Sequence, residues 1–124
     1  GVEIGAGDVV CLHSGWGRYY VTDNAKYCSG EPCIDESAAR WLTGKDVIAI
    51  AADCMAVEVL PNPQHPKLIM PVHQHCLVES GVYLIENLFM DELVRDGITR
   101  FCFILLPVPF KGATGSPAQP IAMV

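Results

Sequence analysis

Charge is scarce in this chain. Only 18% of its 124 residues are Asp, Glu, Lys or Arg. Basic residues are scarcer still, 8 against 14 acidic ones, for a formal charge of −6. Phosphate neutralisation needs clustered positive charge, so a nucleic-acid partner is excluded. Long apolar runs are also missing. The stretch "FCFILLPVPF" falls far short of the ~20 residues needed to span a bilayer, and prolines interrupt it. No membrane anchor or signal peptide is visible, and a cytoplasmic location is the expectation. Internal repeats and low-complexity tracts are absent. The glycine-rich loop "KGATGSPAQPIA" near the end is no Walker A motif, because Lys111 precedes the glycines instead of following them.

What the chain has in quantity is apolar surface. Hydrophobic residues make up 51% of it, rich for a domain of this size. The surplus predicts a partner: a homodimer or higher self-assembly, or a missing part of a larger protein. The cysteines are Cys11, Cys28, Cys33, Cys54, Cys76 and Cys102. Cys11, Cys54, Cys76 and Cys102 sit in apolar contexts and read as buried free thiols of a reducing compartment. Cys28 and Cys33 have C-x4-C spacing in a loop. No further ligands stand nearby for zinc, and spacing alone does not establish a disulfide.

Strand-like and helix-like stretches alternate. "GDVVCLHSGW" reads as a strand, and residues 17–34 as a turn-rich surface excursion. "DESAARWL" reads as a helix capped by Asp35 and ended at Gly44. "DVIAIAA" reads as a strand buried on both faces. "KLIMPV" is expected to be a strand stopping at His73, and "QHCLVES" a short helix closed by Gly81. "VYLIE", "RFCFILLPV" and "PIAMV" read as strands, and "MDELVRD" as a helix before Gly97. The class is α/β, with a mixed sheet and short helices in a single domain over 1–124.

Among polar residues, His73, His75 and Glu86 stand out. Both histidines follow the expected strand "KLIMPV", where loops carry function in open α/β sheets. Alternation places Glu86 on the face of Val82 and Leu84. A carboxylate at the end of an apolar strand must be paired, bind metal or be neutralised. Histidine and glutamate suit zinc or manganese, although on the residues alone structural roles are the better account of them. Asp53 and Glu58 flank "CMAV" and could act as an acid–base pair or as caps on backbone N–H groups. His13 reads as a core histidine of the first strand, and His65, between prolines, as solvent-facing.

Three segments together resemble the cyclase family of metal-dependent hydrolases, which includes kynurenine formamidase and isatin hydrolase. "GAGDVVCLHSGWGRYY" is similar to the family's strand and TGW turn. "EPCIDESAARWLTGKDVIAIAADCMAVEVLP" is similar to its helix, strand and G-x-D turn. The third runs from "PVHQHCLVESGVYLIENL" to the closing "GATGSP" loop. The resemblance covers nearly the whole chain and corresponds to the C-terminal half of a family member. It implies a swivelling β/β/α-like domain, here truncated. It also implies hydrolysis of an amide, lactam or ester bond with a bound divalent metal, zinc or manganese. By the same resemblance His73 and Glu86 are metal ligands, with His75 the alternative histidine, and Asp53 and His75 are catalytic. The "GATGSP" glycines would allow close backbone approach near the site, against the plainer reading of a surface turn or direct contact with an anion. The family's H-x-G-T-H-x-D motif, which supplies most ligands, is absent. The chain is therefore expected to be inactive alone and without a metal of its own, or to be a non-catalytic oligomeric binding or scaffold protein of the same descent.

Overall fold

The computed structural model describes residues 1–124, which form two compact units, Gly1–Met90 and Asp91–Val124. The first is built on a parallel sheet of β1 (Val9–Leu12), β2 (Ala49–Ala52) and β3 (Tyr83–Ile85), with β2 in the centre. Val9 pairs with Ala49 and Leu12 with Ala52, while Ala49 pairs with Tyr83 and Ala51 with Ile85. Every residue of β2 is buried. The continuous apolar run predicts this, since a central parallel strand is covered on both faces.

Short helices connect the strands. After β1 come a 3-10 turn at Trp16–Arg18, α1 (Tyr19–Thr22) and α2 (Asn24–Tyr27). The segment 17–34, expected on the surface, is instead anchored: Tyr27 and Glu31 are buried. α3 (Glu36–Thr43) starts where its sequence says it should. The Asp35 carboxylate accepts from the Ala38 N–H at 3.0 Å, and that bond, with one from Ser37, holds the carboxyl below its ordinary range. Ala39 and Leu42 carry the helix into a core shared with Ile50, Val57, Val72 and Cys76.

"KLIMPV" is not a strand. Met70 takes a left-handed conformation, φ 55°, and Pro71 opens α4 (Pro71–His73). Proline lacks an N–H but is at home in the first helical turn, where that donor has no partner. α4 runs on into a wider π-helical turn, Gln74–Ser80, which closes at Gly81 with φ 67°. Mixed α/β character with short helices stands, but parallel and antiparallel pairing occur in separate sheets.

The second unit holds α5 (Asp91–Arg95) and the antiparallel pair β4 (Cys102–Ile104) and β5 (Ile121–Met123), with Ile104 opposite Ile121. None of its residues is buried. Cys102, read from sequence as a core thiol, is exposed. The "GATGSP" loop belongs to this unit. Gly112 turns the chain at φ 78°, and a Cβ on Gly112 or Gly115 would meet open space, so neither glycine is needed for close packing. No helix of the molecule is long and apolar enough to cross a membrane.

Candidate functional site

The C-terminal ends of the parallel strands carry the polar groups: Ser14 lies beyond β1, Asp53 beyond β2 and Glu86 beyond β3. His73 comes to them from α4. Its ring is held at both nitrogens. Nδ1 bonds Glu58 Oε2 at 2.7 Å, and Nε2 bonds Glu86 Oε1 at 3.2 Å. Glu58 is 1% exposed, and its carboxylate also accepts the backbone N–H groups of His73 at 3.1 Å and Val72 at 3.5 Å. The turn into α4 therefore points its first N–H groups at Glu58, and the carboxylate fixes both the helix start and the imidazole. The bond from Glu86 raises the His73 pKa above the ordinary imidazole value. Burial opposes this, and Glu58 adds to it.

Glu31 was not singled out in the sequence and lies in the same field. Its Oε2 accepts from the Met55 N–H at 2.6 Å, while its Oε1 is buried with no hydrogen-bond partner. Burial raises its pKa. The N–H groups of Met55 and Ala56 oppose this, and the charges of Glu86 and Glu58 reinforce it. Tyr27 stands close by. Its hydroxyl donates to Asn87 Oδ1, and burial, with Glu31 beside it, pushes the phenol up to about 12.

Asp53 lies in a separate cradle. Its Oδ1 accepts from Ser14 Oγ at 2.6 Å and the Ser14 N–H at 2.9 Å, and its Oδ2 from the Gly17 N–H at 3.3 Å. Burial alone would push this carboxyl up, but the bonds from Ser14 and Gly17, with His13 nearby, hold it below its ordinary range. His13 is not a core residue of β1. It lies past the strand end, exposed, with Nε2 3.9 Å from Asp53 Oδ2. Gly17 fits only as glycine, since a Cβ there would meet the Asp53 carbonyl oxygen at 2.9 Å. Asp53 accepts from the backbone N–H groups of Ser14 and Gly17 in the β1–α1 turn, and Glu58 meets the His73 ring and backbone.

His75 is turned elsewhere. Its Nε2 meets Thr43 Oγ1 at 2.9 Å and its Nδ1 meets Glu79 Oε2 at 3.0 Å. With Arg40, Ile48 and Tyr83 it lines a cavity of about 580 Å³ near the N-terminal ends of β2 and β3. That cavity is open but holds neither Glu86 nor Asp53, so the converging polar groups, and not the volume, mark the candidate site. The structure thus brings together His73, Glu58 and Glu86, with Glu31 close by, and groups Asp53 with Ser14, Gly17 and His13. No group of three or more His, Cys, Asp or Glu side chains is arranged to hold a metal ion by itself.

Over residues 1–59 the chain matches the Cyclase family. Asp53 and Glu58 fall inside that match, and His73 and Glu86 beyond it. A crystal structure described as a novel cyclase superposes with a TM-score of 0.82 at 25% identity, over 98% of this chain. The chain spans 41% of that protein's length. No curated protein sequence matches this one.

Proposed function

We propose that this chain supplies the histidine–glutamate part of a divalent-metal site in a cyclase-type hydrolase of amide, lactam or ester bonds. The observation that carries this reading is the His73 ring, held by buried Glu58 at 2.7 Å and aimed at Glu86 at 3.2 Å. A carboxylate behind one imidazole nitrogen sets the tautomer that leaves the other free to ligate. Charge argues for a cation too. Glu58 and Glu86 share one imidazole, Glu31 feels the charge of both, and its Oε1 is buried without a donor. His73 Nε2 and Glu86 Oε1 would be the donors from this chain, and zinc or manganese suits them. When bound, such an ion polarises a carbonyl and lowers the pKa of water. Catalytic sites need at least three protein ligands, so further ligands would come from another segment or subunit, as the resemblance implies. Glu58 fixes the ring, burial raises the Glu31 pKa above its ordinary value, and the Asp53 cradle keeps the neighbouring turn in place.

Calorimetric titration with zinc or manganese tests the site. His73→Ala and Glu86→Gln should each abolish measurable binding, and Glu58→Gln should weaken it by roughly 10–100-fold. Undiminished binding in His73→Ala/Glu86→Gln would overturn the assignment. The chain alone should hydrolyse formamides and lactams slowly or not at all.

A second reading is a non-catalytic oligomeric scaffold. It is favoured by the absence of a complete ligand group and by exposed apolar side chains such as Ile69, Leu106 and Phe110. Metal content of the purified protein separates the two readings: bound metal at the His73 site favours the hydrolase, and a metal-free oligomer favours the scaffold.

A further inference from the structure

At the N-terminal ends of β2 and β3, the cavity of about 580 Å³ gathers a second set of polar side chains. α3 supplies Arg40 and Thr43, three residues apart and so on one face. The π-helical turn Gln74–Ser80 supplies His75, Glu79 and Ser80. Ala39 and Leu42 of the helix and Cys76 of the turn share the core, which sets the two elements side by side. His75 is buried, and its ring is held at both nitrogens. Nδ1 meets Glu79 Oε2 at 3.0 Å, Nε2 meets Thr43 Oγ1 at 2.9 Å, and Ser80 Oγ stands 3.4 Å from the same Nε2. A carboxylate only accepts, so Glu79 fixes the proton of the neutral ring on Nδ1. Nε2 is then an acceptor, and the Thr43 hydroxyl donates to it. The Arg40 carbonyl, at 3.2 Å, is the longer of the two acceptors open to that hydroxyl. A hydroxyl nucleophile, a general base and a carboxylate that orients the base thus stand in sequence, each within hydrogen-bond reach of the next. The Arg40 guanidinium, 3.8 Å from Glu79, lines the same cavity. A cation on that wall stabilises negative charge developing on a reacting carbonyl oxygen. Ile48 and Tyr83, both exposed, give the cavity an apolar side.

We propose that Thr43, His75 and Glu79 form a metal-independent hydrolytic site that cleaves small, apolar carboxylic esters by acyl transfer to Thr43. In the first step Thr43 Oγ1 attacks the ester carbonyl carbon, and His75 Nε2 takes the hydroxyl proton. The carbon–oxygen bond to the leaving group then breaks. Nε2 hands its proton to the departing oxygen, which leaves as the alcohol, and Thr43 carries the acyl group as an ester. In the second step a water molecule attacks that ester, with its proton passing to Nε2. The bond from the acyl carbon to Thr43 Oγ1 breaks, Oγ1 regains the proton, and the carboxylic acid departs. One ester and one water become one acid and one alcohol, and nothing is oxidised or reduced. Glu79 touches no reacting atom. It positions the ring and holds the tautomer.

The test uses the full chain with a metal chelator present and 4-nitrophenyl acetate as the ester. Repeated turnover to 4-nitrophenol is expected, and a chain quenched with acid in mid-reaction should carry an acetyl group on Thr43 in a peptide map. Thr43→Val keeps the shape and removes the hydroxyl, so it should lower the rate at least ~100-fold, while Thr43→Ser should retain turnover. Glu79→Gln should lower kcat with KM unchanged, because the base is misplaced while the ester still binds. Release no faster than in buffer, undiminished turnover in Thr43→Val, or acetyl groups only on Ser80 or on lysines would overturn the proposal. Should Thr43→Val fail to fold, Thr43→Ser and the acetyl map of the wild-type chain still decide. The chelator keeps metal out of the assay, so this site and the His73 site stand or fall separately.

Discussion

Replacing Glu58 should disturb stability and the titration of His73 together. Glu58 is 1% exposed and accepts from the His73 ring at 2.7 Å, the His73 backbone at 3.1 Å and the Val72 backbone at 3.5 Å. Glu58→Ala leaves these donors unpaired in a dry place. Removing one partner of a buried ionic contact costs about 3–5 kcal/mol, and the start of α4 should loosen with it. Glu58→Gln keeps the volume. Glu58 Oε2 meets both the His73 backbone N–H and Nδ1, so an amide oxygen in that place keeps both bonds without the charge, while the NH₂ in the Oε1 place turns towards the Val72 N–H. The loss of a charge-assisted bond is worth about 1.5–3 kcal/mol. The bond from Glu86 raises the His73 pKa, and Glu58 adds to it, so Glu58→Gln should lower the midpoint. A folded pKa raised above the unfolded value, ~6.5, contributes stability that is fully present below the unfolded value. That stability is lost as pH rises through the folded value. The wild-type chain should lose stability across that window, and Glu58→Gln should flatten the loss. Urea unfolding at several pH values, with imidazole NMR titration, measures both. A Glu58→Ala cost within about 0.5 kcal/mol, or an unmoved His73 midpoint in Glu58→Gln, would refute the reasoning.

Gly17→Ala should destabilise the chain by about 1–3 kcal/mol in urea, because its Cβ would lie 2.9 Å from the Asp53 carbonyl oxygen and 3.1 Å from the Asp53 Cβ. Asp53→Asn should weaken the tether and flatten the acid limb of stability. The carboxyl is held below its ordinary range, so its contribution is present above ~3.9 and lost as pH falls through the lower folded value; an acid limb as steep as wild type in thermal melts would count against the cradle. Sedimentation at micromolar concentration should show self-association, given the exposure of Val21, Leu106 and Val124, and a clean monomer would reject it.

Much of the framework was legible because local signals and burial agreed. β2 is an apolar run with small residues, which a central parallel strand demands. α3 announced itself through Asp35 and an amphipathic face burying Ala39 and Leu42. Legibility failed where tertiary contacts decide. "KLIMPV" has the composition of a strand, but Pro71 sits where a helix can start and Glu58 waits for its first N–H groups. Glu31 had no local signature at all. Its segment reads as loop, and only pairing with the chain near Leu60 buries it. His13 appeared to lie within the first strand because the alternation continues past Leu12, yet β1 ends there and Ser14 turns to Asp53.

The parallel pairing itself explains why the polar groups meet. Parallel strands send all their C-terminal ends to one side, and each end leaves backbone groups that the next segment must satisfy. Here the Asn87 N–H donates to the Cys54 carbonyl at 2.9 Å and the Leu88 N–H to Ala52 at 2.9 Å, so the ends of β2 and β3 stay joined after the strands stop. That joint carries Asp53 and Cys54 on one side and Glu86 and Asn87 on the other. Tyr27 bonds Asn87, and Glu31 holds Met55, so the segment after β1 is fastened to the same place. His73 then enters from α4, outside the sheet, onto Glu86. Cutting the joint should therefore disturb both clusters. Asn87 holds a left-handed conformation, φ 54°, which asparagine tolerates and β-branched residues resist. A β-branched residue at 87 would strain the backbone and remove the Tyr27 partner in one change.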